Sequence, residues 1–173
     1  SMFLKNKGEE MGFKGKIIYL PNFVNTQEYK PQYAGEENSI IYFGRLSKEK
    51  GLFTLLEAMK GLNIKLKIIG EGPSKEDLKR RAFGAGSSNI EFLGYMAGEE
   101  LKDEIRKSMF IILPSEWYEN NPRTIIEGFA LGKPAIGARI GGIPELVKDD
   151  ETGLTFEPWN TDDLKRKILH LLE

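Results

Sequence analysis

Short runs dense in apolar residues recur along this chain, separated by stretches with helical periodicity, and that alternation restricts the fold more than any other feature. Lys16–Leu20, Ser39–Phe43, Ile64–Ile69, Ile90–Leu93, Met109–Leu113 and Pro134–Gly137 read as strands. Several are nearly continuous in apolar residues, as strands of a parallel sheet are when helices cover both faces. Between them, Gly51–Lys60, Ser74–Phe83, Glu99–Lys107, Pro122–Leu131 and Asp162–Leu172 read as helices. Their starts carry capping signals. Ser74 with Asp77 resembles a capping box, Asn121 precedes a first-turn Pro122, and Thr161 precedes Asp162 and Asp163. Strands alternating with helices imply an α/β class with a Rossmann-like, doubly wound parallel sheet.

The 173 residues suffice for one domain with a real core. Residues 1–38 read as an incoming segment and connection, polar and proline-bearing over 21–38, and residues 39–173 as the main domain. Ser1-Met2 looks like a tag scar, and the end inside a helical stretch suggests a piece of a longer protein. The 25 basic and 26 acidic residues leave a net charge of −1, which argues against nucleic acid as partner. The absence of cysteine excludes disulfides and thiolate metal sites and suits a cytosolic origin. No apolar run is long enough for a transmembrane helix.

Ligands of open α/β sheets sit beyond the carboxyl ends of the strands. The loops after Phe43, Ile69, Leu93, Leu113 and Gly137 are therefore the places to look. In Gly44–Gly51, Arg45 and Lys50 could clamp a diphosphate, although a solvated loop reads the same. Gly70-Glu-Gly-Pro73 is a tight turn that permits close backbone approach, and Gly94-Tyr95 could let a flat base lie against main chain. Glu119 and Glu127 stand eight positions apart, one in a loop and one in a helix, and Asn121, Arg123 and Thr124 lie between them. Carboxylates accept hydrogen bonds from paired hydroxyls, and a helix N-terminus offers free N–H groups to phosphate. The plainer alternative makes Glu127 an ion-pair partner of Arg123. Gly141-Gly142 opens a turn before a short helical segment near Pro144, where backbone amides could face an anion or sugar. No Asp-x-Asp pair holds a metal under a diphosphate, and His170 sits in a terminal helix, far from a catalytic setting.

These pieces occur in a characteristic order: Gly44-Arg45-Leu46 to Lys50-Gly51, Ile69-Gly-Glu-Gly-Pro73, Pro114-Ser115 with Glu119 and Glu127, Gly132-Lys-Pro134, and Gly141-Gly-Ile-Pro-Glu145. Together they resemble retaining GT-B glycosyltransferases, with Glu119 to Glu127 matching the Glu-x7-Glu motif. The likeness runs over roughly residues 16–173, and Tyr19–Asn25 looks like the connection between that family's two domains. The resemblance implies the C-terminal, donor-binding half of a hexosyltransferase, without metal or cofactor, using a nucleoside-diphosphate sugar. The acceptor would be a glycan or a lipid-linked molecule, bound by an N-terminal domain absent here. The fragment alone would then be inactive and bind nucleotide weakly, at about 0.1–10 mM. The intact protein would be cytoplasmic, with any membrane-peripheral association residing in the other half.

The resemblance also implies roles. Arg45 and Lys50 match the cations on the departing diphosphate, Glu127 the acid on the ribose hydroxyls, and Glu119 the acid on the transferred sugar, assigned here to positioning rather than covalent attack. Gly44, Gly70, Tyr95, Asn121, Arg123, Thr124, Gly141 and Gly142 complete the expected substrate contacts. One departure stands out. Where many members have Phe-Gly after the first glutamate, this chain has Asn121-Pro122, and proline lacks a backbone donor. A GT-B-like sugar-nucleotide epimerase and a stand-alone α/β nucleotide-binding or regulatory module are the alternatives.

Overall fold

The computed structural model describes residues 1–33, 37–84 and 88–173. Six parallel strands form one sheet: β1 Ser39–Phe43, β2 Lys65–Ile69, β3 Ile90–Gly94, β4 Ile111–Leu113, β5 Ala135–Ala138 and β6 Gly153–Phe156. Their spatial order is β3-β2-β1-β4-β5-β6, so the direction of winding reverses between β1 and β4. The helices are α1 Met2–Glu10, α2 Leu52–Ala58, α3 Lys75–Gly84, α4 Gly98–Lys107, α5 Arg123–Ala130, α6 Ile143–Leu146 and α7 Thr161–Leu172. Right-handed crossovers on either side of the reversal put helices on both faces. α2 packs against α3 and α7, while α5 lies on β4 and β5. This is the doubly wound class expected from the alternation of elements.

All five residues of β1 are buried, as are the three of β4 and the four of β5. One buried position on β2 is a cation. Lys67 places Nζ 2.7 Å from Glu37 Oε2 and 2.7 Å from Glu104 Oε2 of α4. Burial opposes the charge on Lys67, yet the bonds to Glu104 and Glu37 outweigh it and raise the ammonium above its ordinary range. A lysine could enter this strand only with such partners.

The structure corrects several expectations. Lys16–Leu20 is not a strand: it runs over the surface, with Ile18 74% and Leu20 83% exposed. Its residue types suit a strand, but among the described residues it pairs with no strand of the sheet. β6 escaped the sequence reading because it is four residues long and begins with Gly153, where a Cβ would stand 1.8 Å from the Ala135 carbonyl oxygen. α1 was also missed; it has no buried residue and so no strong apolar stripe. Asn121 does not cap α5. Pro122 occupies that position without a side-chain cap, and Asn121 instead accepts from the Asn22 amide at 2.7 Å. Asn160, not Thr161, caps α7, accepting from the Asp163 amide. Residues 34–36 of the expected connection lie outside the described residues. Among the described residues no helix is long and apolar enough to cross a membrane.

Candidate functional site

The β1/β4 reversal leaves a crevice beyond the strand ends, and the loops after both strands enter it. Three glycines let these loops close on one another. A Cβ on Gly51, at φ 68°, would lie 1.8 Å from the Pro114 carbonyl oxygen. A Cβ on Gly70 would lie 1.9 Å from the Gly44 carbonyl oxygen, so the loops after β1 and β2 touch main chain to main chain. Hydrogen bonds continue the contact past the sheet, with Gly44 N donating to Ile69 O at 2.9 Å and Leu46 N to Glu71 O at 2.9 Å. The third, Gly142, would place a Cβ 1.8 Å from Asn120 O, and its amide donates to Glu119 O at 2.7 Å.

The result is a pair of adjoining cavities that share Phe43, Gly44 and Arg45. The smaller, about 390 Å³, is lined by Arg45, Lys50, Glu119, Pro122, Arg123 and Thr124 among others. Lys50 Nζ lies 2.5 Å from Glu119 Oε1, and Ser115 Oγ donates to that same oxygen at 2.7 Å. Arg45 is exposed and makes no ion pair among the described residues. The N-terminus of α5 has no side-chain cap, which leaves the Arg123 and Thr124 amides available. Thr124 Oγ1 and Asn121 Nδ2 are buried with no protein partner. Buried polar atoms ordinarily find partners, and of these two only Thr124 lines a cavity in which a guest could supply one. Tyr42 underlies the loop and donates to Arg45 O at 2.7 Å; burial and the nearby Glu119 and Glu49 carboxylates push its hydroxyl far up. The Ser47 hydroxyl, donating to Glu49, holds that carboxyl below its ordinary range.

The larger cavity, about 780 Å³, is lined by Gly70, Tyr95, Met96, Leu101 and Glu127, with Tyr29 and Lys102 closing one side. Its walls are mostly apolar with a few convergent polar groups, the usual character of a small-molecule site. Glu127 is mostly buried and receives Arg123 Nη2 at 3.1 Å, so the plainer ion-pair reading of this acid is realised alongside its place in the wall. Tyr29 has its hydroxyl pushed up by burial and by the Glu127 carboxylate.

Of the residues singled out in the sequence, Gly44, Arg45, Lys50, Glu119, Arg123 and Thr124 meet in the smaller cavity, and Gly70, Tyr95 and Glu127 in the larger. Asn121 is buried behind them. Gly141 and Gly142 line neither cavity: they press against the backbone of Tyr118–Asn120, and the Gly142 amide is engaged by Glu119 O. Both glycines thereby set the path of the Glu119 loop. Sequence reasoning missed Tyr29, Lys102 and Asn22. Lys102 Nζ lies 4.8 Å over the Tyr29 ring and donates to Glu28 O at 2.7 Å, which folds the connection back over the sheet end. Among the described residues no group of three or more His, Asp or Glu side chains could hold a metal ion.

Known proteins resemble this chain in sequence and in fold. An uncharacterised glycosyltransferase of Methanocaldococcus jannaschii is 33% identical over 172 residues, spanning 99% of this chain and 48% of the relative. Sucrose-phosphate synthase from Thermosynechococcus elongatus superposes with a TM-score of 0.87 at 22% identity, over 99% of this chain and 47% of that one. An Anabaena protein solved with UDP and glucose superposes with a TM-score of 0.79 at 23% identity, over 91% and 47%. The chain thus spans about half the length of the relatives it matches. The family model described as glycosyl transferases group 1 matches residues 25–173, a range that holds both cavities and nearly the whole sheet-and-helix framework. On that match and on its 33% identity to an archaeal glycosyltransferase, this chain belongs to the group 1 glycosyltransferase family.

Proposed function

We propose that this chain is the donor-binding half of a metal-independent, retaining hexosyltransferase that uses a nucleoside-diphosphate sugar. The observation that carries the reading is the convergence of Arg45, Lys50, Glu119 and the uncapped start of α5 in one cavity, joined through Gly44 to a larger apolar cavity that holds Glu127. The base and ribose fit the larger space, with Glu127 accepting from the ribose hydroxyls. The diphosphate then lies at the junction, beside Arg45 and the α5 amides, and the sugar beside Glu119. The Anabaena neighbour, solved with UDP and glucose, supports this class of ligand.

Departure of the nucleoside diphosphate develops negative charge as the glycosidic bond breaks. The α5 amides face that charge from a fixed backbone and Arg45 and Lys50 reach it as cations, and removing one such group typically costs about 3–4 kcal/mol of transition-state stabilisation. Glu119 positions the sugar and stabilises positive charge that builds on it. The acceptor, a glycan or lipid-linked molecule, is assigned to the half of the relatives' length that this chain does not span, so transfer by these 173 residues alone is not expected.

A thermal-shift panel of UDP, GDP, ADP and their hexose conjugates tests the reading. One nucleotide class should stabilise the chain, and Glu127→Ala and Arg45→Ala should each remove the stabilisation. No stabilisation by any nucleotide, or stabilisation indifferent to both variants, would overturn it.

A further inference from the structure

We propose that Ser115 is a positioning residue that keeps the Glu119 carboxylate aimed at the donor sugar once Lys50 has moved to the diphosphate. The inference rests on the donor-binding reading above. Ser115 and Lys50 bind the same oxygen, Glu119 Oε1, at 2.7 and 2.5 Å, and Oε2 has no partner among the described residues. One oxygen is therefore held by protein and the other is unengaged, on a side chain that lines the smaller cavity.

The two donors differ in freedom. Ser115 is fully buried just beyond β4, in a segment fixed from three directions. Gly51 abuts the Pro114 carbonyl, Glu116 N donates to Glu49 O at 2.8 Å, and Thr54 Oγ1 donates to Glu116 Oε1 at 2.5 Å. Lys50 reaches the acid through four flexible methylenes. A diphosphate arriving beside Arg45 offers the ammonium more negative charge than one carboxylate does. Lys50 then exchanges Glu119 for the phosphates, and Glu119 loses its counterion just when a sugar hydroxyl requires a fixed acceptor. The Ser115 hydroxyl prevents the freed carboxylate from rotating. Its effect should therefore appear with a sugar conjugate and not with the bare nucleoside diphosphate.

Calorimetry on this chain with UDP against UDP-glucose, GDP against GDP-mannose and ADP against ADP-glucose tests the proposal, using whichever pair the wild type binds. Ser115→Ala should leave nucleoside-diphosphate affinity within about twofold and weaken the sugar conjugate about tenfold, the scale of one hydrogen bond to a charged group. Ser115→Cys, which donates only weakly and adds a little volume instead of leaving a void, should show the same sugar-specific loss. In Glu119→Ala the further change Ser115→Ala should add little, because the single contact through which Ser115 acts is already gone. Equal weakening of both ligands, no weakening of either, or full additivity with Glu119→Ala would overturn the positioning role while leaving donor binding intact. A wild type that binds none of the pairs would overturn the donor reading, and this inference with it.

Discussion

Gly51 is where the geometry of the site depends most sharply on one missing atom. It sits at φ 68°, and an added Cβ would come within 1.8 Å of the Pro114 carbonyl oxygen and 3.2 Å of Glu116 Cγ. The left-handed conformation costs an L-residue about 1–2 kcal/mol. Reaching an ordinary contact of about 3 Å demands that packed backbone yield by roughly 1.2 Å, and overpacking of this kind costs about 1–3 kcal/mol. Losing glycine's freedom in the unfolded chain returns about 0.4–1 kcal/mol. The net for Gly51→Ala is then a destabilisation of about 1–4.5 kcal/mol. Gly98 serves as the control: its φ of 61° is nearly the same, but nothing lies within 4 Å of its Cβ position. Gly98→Ala should cost only about 0–1.5 kcal/mol by the same terms. Urea unfolding with a slope of about 2 kcal/mol/M would separate the two variants by roughly 1 M in midpoint. Equal midpoints would refute the claim that the loop after β1 is pressed against the end of β4.

Two further perturbations probe the framework. Lys67→Met leaves Glu104 with Lys107 as its remaining partner and should cost about 1–3 kcal/mol, whereas the Lys67→Met/Glu104→Leu double variant should be nearer neutral. Burial alone would raise the Glu104 carboxyl, but bonds from Lys107 and Lys67 hold it below its ordinary range. Its stabilisation is thus complete above the unfolded carboxylate pKa and is lost as pH falls through the lower folded value, so acid titration of stability should be shallower in Lys67→Met than in wild type. Asn160→Ala removes the cap that accepts from Asp163 N at 3.0 Å and should cost about 1 kcal/mol, read as a lower thermal midpoint.

The parallel sheet was legible because strands covered on both faces declare themselves by unbroken apolar runs, as in Ile40-Ile-Tyr-Phe43. The convergence of Arg45, Lys50, Glu119 and Glu127 followed from the rule that ligands gather at strand ends, since each lies in or just after such a loop. Other features depend on contacts that no local pattern encodes. Lys16–Leu20 has strand composition but no sheet edge beside it, whereas Gly153–Phe156 finds the edge of β5 although it is only four residues long and opens on glycine. Tyr29 becomes a cavity wall where Lys102, bonded to the Glu28 carbonyl, helps to hold the connection folded back over the sheet. Asn121 carries a capping signal, yet the Asn22 main chain competes for its side chain and wins.

Amide chemical-shift mapping of the isotopically labelled chain, titrated with the nucleoside diphosphate that stabilises it, tests the central claim most directly. Shifts should concentrate at Gly44, Arg45, Gly70, Glu71, Glu119, Arg123 and Thr124, the groups that border the two joined cavities. Shifts confined elsewhere, such as the surface around Asp149, Arg166 and His170, would show that these charged side chains do not share one ligand.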